Sequence, residues 1–285
     1  MNFGIIIPAH NEADCIERTL ESLFKQTKKP LQVIVVDDCS TDSTPQILEK
    51  IKQENPSLTV LRREVGDTHL PGSKVVQAFN AGLPFLKNNI DIICKFDADL
   101  VFPPDYLEVL EKHFSENPKV GMCGGFCYVE KKGEWFLENL TNKDHLRGAV
   151  KAYRKACFEA IGGLKTAMGW DTADELLARF YGWEVKTDES LKVKHLRPTG
   201  AGYNLNARFL QGSVFYRLRY GFLLSVLASV KLALKKKKFS LFKDYLRGYF
   251  KAKAEKQAFL VTPEQGKWIR NYRWKKILAK VFKEN

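Results

Sequence analysis

The sequence predicts an α/β fold: a Rossmann-like, mostly parallel sheet flanked by helices, followed by a basic amphipathic helical appendage. Three observations predict it. Short apolar runs recur with helix-like segments between them, polar and acidic residues gather just after those runs, and positive charge is concentrated in the last quarter of the chain. With 285 residues, 45% of them hydrophobic, the chain can bury a substantial core.

The apolar runs are FGIII at 3–7, QVIVV at 32–36, LTVL at 58–61 and DIICKF at 91–96. Alternating with helical segments, they have the βα rhythm of a parallel sheet. Ile16, Leu20, Leu23 and Phe24 lie at helical spacing after the first run, and Ile47, Leu48 and Ile51 after the second. From about 119 the pattern changes to glycine-broken strands (KVGMCGGFCYVE), then helix-like DTADELLARF and strand-like EVKTDESLKVKHL. One domain is therefore expected over 1–205, with a ligand-binding half at 1–110 and an acceptor-side half at 111–205. A separate extension is expected over 206–285.

Open sheets of this kind bind ligands beyond the carboxyl ends of their strands. The residues there are PAHNE, DDCSTDST and DADL. Neither G-x-G-x-x-G nor G-x-x-x-x-G-K-[ST] occurs, so the usual glycine cradles for phosphate are excluded and something else must hold any phosphate. Asp97 and Asp99, two apart where a buried strand runs out, suit a hard cation, because Mg²⁺ and Mn²⁺ take oxygen ligands from one or two carboxylates plus substrate phosphates. Asp37 and Asp38 end the second strand and repel each other unless something donates to them. A nucleobase imide and a ribose hydroxyl are suitable donors; helix capping is the competing role, shared with Ser40, Thr41, Asp42 and Ser43. We expect one of the two aspartates to bind ligand and one to be structural. Pro8 stiffens the first turn, and Asn11 and Glu12 add polar groups there, with turn chemistry equally open to Asn11.

In this order and spacing, IIIPAHNEADCIERTLESL, VVDDCSTDST, GSKVVQAFNAGL and FDADL resemble family-2 inverting glycosyltransferases of the bacterial type, which have a GT-A fold. The resemblance is strong over the first 110 residues and weaker to about 200. It implies a nucleoside diphosphate sugar held by Pro8, Ala9, Asn11, Glu12, Asp37, Asp38, Lys74, Asn80, Asp97 and Ala98. It also implies Mn²⁺ or Mg²⁺ on Asp97 and Asp99, with His195 as a further ligand. UDP is the default nucleotide. Inversion is a direct displacement that needs one general base. The family's Glu-Asp pair is replaced here by GWDTADELLARF, where Asp174 is the first choice and Asp171 the second, both competing with helix-start roles. Trp170 and Trp183 either line the acceptor site or pack.

Residues 208–285 hold 20 Lys and Arg against 4 Asp and Glu, while 1–207 hold 26 against 29. A cationic tail, +16, thus follows a body of −3. Its interleaved Phe, Tyr, Leu, Lys and Arg predict helices lying in a membrane interface, against a nucleic-acid surface or a packed helical extension. Its apolar content exceeds what phosphate contacts need, so nucleic acid is disfavoured; a glycan or lipid-linked acceptor is what the family resemblance implies. No apolar run reaches the roughly 18–20 residues of a spanning helix. The start at Met1 shows no secretory leader, and the six scattered cysteines read as reduced core thiols, so a cytoplasmic protein peripheral to the inner membrane face is expected. Two other classes stay open: a sugar nucleotidyltransferase of related fold, for which the glycine-rich opening loop is missing, and a non-catalytic basic scaffold.

Overall fold

The computed structural model describes residues 1–64, 73–138, 143–198 and 207–282. Its nine-stranded sheet begins with the four predicted strands: β1 (Phe3–Ala9), β2 (Gln32–Asp38), β3 (Leu58–Arg63) and β4 (Ile92–Phe96). They lie side by side in the order β3-β2-β1-β4, all parallel. β1, β2 and β4 are almost wholly buried, because α1 (Ile16–Phe24), α2 (Thr44–Glu54) and α3 (Ser73–Gly82) cover the faces, while in β3, at the sheet edge, only Leu58 is buried. Strands buried on both sides read as unbroken apolar runs, which explains why these were legible.

The sheet continues through β5 (Leu100–Val101), β6 (Val120–Lys131), β7 (Glu134–Leu137), β8 (Val150–Arg154) and β9 (Glu184–His195), in the order β4-β8-β6-β9-β5, with β7 on β6. β8 enters antiparallel beside β4, pairing Lys95 with Lys151 and Phe96 with Val150. β5 meets the end of β9, with Leu100 opposite His195. These two pairings fold the second half of the chain back over the end of β4. Three more helices complete the body: α4 (Tyr106–Glu116), α5 (Lys155–Ala160) and α6 (Trp170–Phe180).

The expected division between the two halves at 110/111 falls inside α4, and one continuous sheet carries both halves. The expected boundary near 205 lies outside the described residues. Beyond it are α7 (Ala207–Arg217), α8 (Gly221–Lys235), α9 (Ser240–Ala254) and α10 (Pro263–Val281). Val214, Leu218, Tyr245 and Ile269 from this region join the same buried cluster as the sheet. A Cβ on Gly169, before α6, would lie 2.5 Å from Val214 Cγ1. The tail is therefore packed on the body in large part. Among the described residues no helix is long and apolar enough to cross a membrane. All six cysteines are free, and five are buried.

Candidate active site

The ligand edge of the sheet starts with the loops after β1 and β2. Asn11 (φ 56°) and Cys39 (φ 60°) both take the left-handed backbone conformation, which Asn tolerates better than most residues. The loops are stitched together. Asn11 N–H donates to Ser40 Oγ at 2.9 Å, while Asn11 Oδ1 accepts from the amides of Thr41 (2.8 Å) and Asp42 (3.4 Å). Asn11 is thus turn scaffold. Pro8 sits within β1 rather than in the turn after it; it lies opposite Val36, beyond the last β4 partner, so its missing N–H breaks no β4 pairing. Ala9 is buried beside it.

Asp37 and Asp38 stand in register with Arg62 and Arg63 of β3. Arg63 Nη1 donates to Asp38 Oδ1 at 2.9 Å, which commits Asp38 to structure. Asp37 Oδ1 accepts from Ser40 N at 3.1 Å. Its Oδ2 is buried without a hydrogen bond among the described residues, with Arg62 Nε 3.8 Å away. A buried acceptor left open is costly, so it fits an incoming donor. Neither acid caps α2; Asp42, just before the helix, accepts from Thr44 N at 3.0 Å and from Ala13 N of the first loop at 3.2 Å.

At the end of β4, Asp97 N–H donates to Ala149 O at 3.0 Å. Lys95, two residues back and so on the same face of the strand, is 2% exposed and ion-paired with Asp97 Oδ1. Ala98 is buried, its carbonyl accepting from Thr19 Oγ1 at 2.7 Å. Asp99 Oδ2 lies 3.3 Å from Nε2 of His195, whose Nδ1 is 3.0 Å from Glu138 Oε2. Glu138 is held in turn by Arg147. Burial opposes charge on His195, yet its bonds to Asp99 and Glu138 outweigh that and raise it to about 9. Arg197, just beyond, ion-pairs with Glu12, which ties the end of β9 to the first loop.

The three expected metal ligands are not gathered into one cluster. Asp99 and His195 meet, whereas Asp97 turns to Lys95, and among the described residues no group of three or more His, Cys, Asp or Glu is placed to hold a metal. An imidazole nitrogen beside a carboxylate, with the other ring nitrogen fixed by Glu138, nevertheless fits a cation whose remaining ligands are substrate oxygens. Lys74 lies in the first turn of α3, at the same sheet edge. Asn80 is six residues further, roughly 9 Å down the helix axis and away from that edge.

The two candidate bases lie in opposite surroundings. Asp174 is 1% exposed and accepts from Lys151 Nζ at 2.7 and 2.9 Å, Tyr153 OH at 2.5 Å and Glu175 N at 2.6 Å. Burial raises its carboxyl to about 6 against the lowering effect of Lys151, and all of its oxygen capacity is turned inward. It cannot reach an acceptor. Asp171 is on the open side, its side chain 37% exposed, with His145 Nε2 3.8 Å from Oδ2. Burial of its surroundings would raise Asp171, but His145 and Lys151 outweigh this and hold it at about 2. A Cβ on Gly148 would come within 3.4 Å of Asp171 Cβ, and Gly148 adjoins Ala149, the partner of Asp97. Gly148 and Ala149 thus link Asp171 to the Asp97–Asp99 turn. Trp170 is buried with Lys95 Nζ 5.3 Å and Lys151 Nζ 5.5 Å from its ring, and Trp183 packs over Gly121, so both are packing residues.

Sequence reading missed Lys95, Glu138, His145 and Lys151. A signal existed for two: a lysine inside an apolar strand, as in IICKF and VKAYR, must find a buried partner. Glu138 and His145 carried none, since their roles arise from chain folding alone.

The model of glycosyl transferase family 2 matches residues 4–162. A chondroitin synthase of Pasteurella multocida is 32% identical over 111 residues, 39% of this chain; the match spans only 11% of that protein's length. A mannosyltransferase of Pyrobaculum calidifontis, solved with GDP-Man and Mn²⁺, superposes at a TM-score of 0.61 with 19% identity, over 97% of this chain and 80% of that one. TarS 1-349 of S. aureus, solved with UDP-GlcNAc, gives 0.56 with 19% identity, over 88% and 73%. These two likenesses establish the GT-A fold.

Proposed function

The chain belongs to glycosyl transferase family 2, and on that premise we propose that it transfers a sugar, with inversion, from a nucleoside diphosphate sugar to a hydroxyl of a glycan or lipid-linked acceptor. We place this at the cytoplasmic face of a membrane. UDP is assigned first, as in the S. aureus neighbour solved with UDP-GlcNAc. The observation that carries the reading is His195 closing β9 with Nε2 3.3 Å from Asp99 Oδ2, at the same sheet edge as the open oxygen of Asp37. With β1 between them, β2 and β4 stand about 10 Å apart, a span that a nucleoside and its diphosphate bridge.

Asp37 Oδ2 takes the nucleobase or ribose donor. Asp99 and His195 would hold Mn²⁺ or Mg²⁺, and when bound that ion offsets the charge developing on the leaving diphosphate. Glu138 holds His195 by Nδ1, so that loss of the Nε2 proton when the ion binds would leave Nε2 as the ligand atom beside Asp99. Lys95 neutralises Asp97, so the turn carries less excess negative charge toward the diphosphate. Asp171, kept ionised, takes the proton from the acceptor hydroxyl as its oxygen forms the new bond to the anomeric carbon and the bond to the diphosphate breaks. A thermal-shift panel of nucleoside diphosphates and their sugars with Mn²⁺ tests this. A uridine-selective rise that EDTA abolishes is expected; no rise with any of them overturns it.

A further inference from the structure

Half of the large apolar side chains exposed among the described residues come from one hairpin. Of the twelve, Phe222, Leu223, Leu227, Leu234, Phe239 and Phe250 belong to α8, α9 and their connection. The packing explains which face is left over. α9 crosses α7 at two glycines: a Cβ on Gly212 would lie 1.8 Å from Tyr245 O, and one on Gly248 would lie 1.9 Å from Phe209 O. That crossing pins α9 to the body through Tyr245, Gly248 and Tyr249. α8 lies outside it, burying Leu224, Ser225, Ser229 and Ala233 and packing Ala228 and Leu232 in part against the core. Leu223, Leu227 and Leu234 recur at intervals of four and seven on the opposite face. The apolar strip reaches α9 through the Phe222–Phe250 contact at 5.8 Å.

The strip ends at the tip of the hairpin, where Leu234 (64% exposed) and Phe239 (65%) bracket Lys235 to Lys238, all exposed. Across 221–254 there are nine Lys and Arg and one acid, Asp244. An apolar ridge set in a field of lysines is complementary to one kind of surface, a bilayer with anionic headgroups. Polynucleotide phosphates gain nothing from Leu223, Leu227 and Leu234. A second copy would bring two lysine clusters together. α8 has 15 residues, about 22 Å, which is too short to span the roughly 30 Å hydrocarbon layer. It can lie in the interface only.

We infer that the α8–α9 hairpin is a lipid-docking wedge: Leu234 and Phe239 enter an anionic membrane at the tip, and α8 lies along the surface on Leu223 and Leu227. The whole tail was expected to associate with membrane; the packing assigns that role to this hairpin and gives α7 and α10 to the body. The inference does not depend on which sugar is transferred.

The test is sedimentation of the full chain with vesicles of phosphatidylcholine alone or containing phosphatidylglycerol. Binding is expected only with phosphatidylglycerol, and high salt should weaken it. The pair Leu234→Ser and Phe239→Ser, and separately the set Lys235→Gln to Lys238→Gln, should each lower binding about tenfold or more. Both should keep the parent melting temperature, since these side chains are exposed. Failure of the wild type to bind, equal binding to both vesicles, or unchanged binding in both variants overturns the wedge. So does a dimer that the Leu234→Ser/Phe239→Ser pair dissolves, or full displacement from vesicles by an oligonucleotide. Nucleotide-induced thermal shifts, read in the same variants, report on the donor site independently.

Discussion

Two carboxylate clusters stand close together in this molecule and have opposite uses. Around Asp174, three partners, Lys151, Tyr153 and the Glu175 amide, occupy the carboxylate, and everything is buried. Around Asp99, one imidazole is in reach, and that imidazole is itself oriented from behind by Glu138. Both contain an acid and a cationic partner. The difference is that the first is saturated and the second is left with capacity facing outward. A saturated cluster fixes a fold; an incomplete one held in place from behind can accept a ligand.

Mutations break this contrast from either side. Asp99→Asn should cut release of nucleoside diphosphate from the sugar donor by about 10³-fold or more, on the order of 4 kcal/mol, with the melting temperature nearly unchanged. Lys151→Ala should do the reverse, costing about 3–5 kcal/mol in denaturant unfolding by leaving Asp174 and Glu175 buried without their cation. If Lys151→Ala is stable and Asp99→Asn unfolds, the two clusters have been read the wrong way round.

Smaller effects sharpen the comparison. Asp37→Asn should weaken nucleoside diphosphate binding by about 10- to 100-fold, measured calorimetrically, whereas Asp38→Asn should act mainly on stability through the lost Arg63 contact. His145 gives the subtlest signal. Burial opposes its charge, but Asp171 and Glu175 raise it from 6.5 to about 9. Its stabilisation is therefore complete below about pH 6.5 and disappears as pH rises through 9, a contribution on the order of 3 kcal/mol. The melting temperature of His145→Gln should fall less between those pH values than that of the parent chain; parallel curves would remove His145 from the network.

Much of the parallel half of the sheet was legible in the sequence, because strands covered on both faces must be apolar throughout and the acids that follow them are conspicuous. The first four strands agree with their runs to within two residues or so at each end. The burial of Asp174 went unread, although helical spacing held the clue. Asp174 lies four residues after Trp170 and three before Leu177, on the buried stripe of α6, while Asp171 is off it. The division of the tail was not legible, since basic and aromatic residues suit packing and membrane alike. Only the helix crossing at Gly212 and Gly248 separates the two.

The most direct measurement is the electron paramagnetic resonance signal of free Mn²⁺, titrated with the protein in the presence of UDP. The signal should fall with the wild type and persist with Asp99→Asn. Equal loss of signal with both proteins would contradict a cation held at Asp99 and His195.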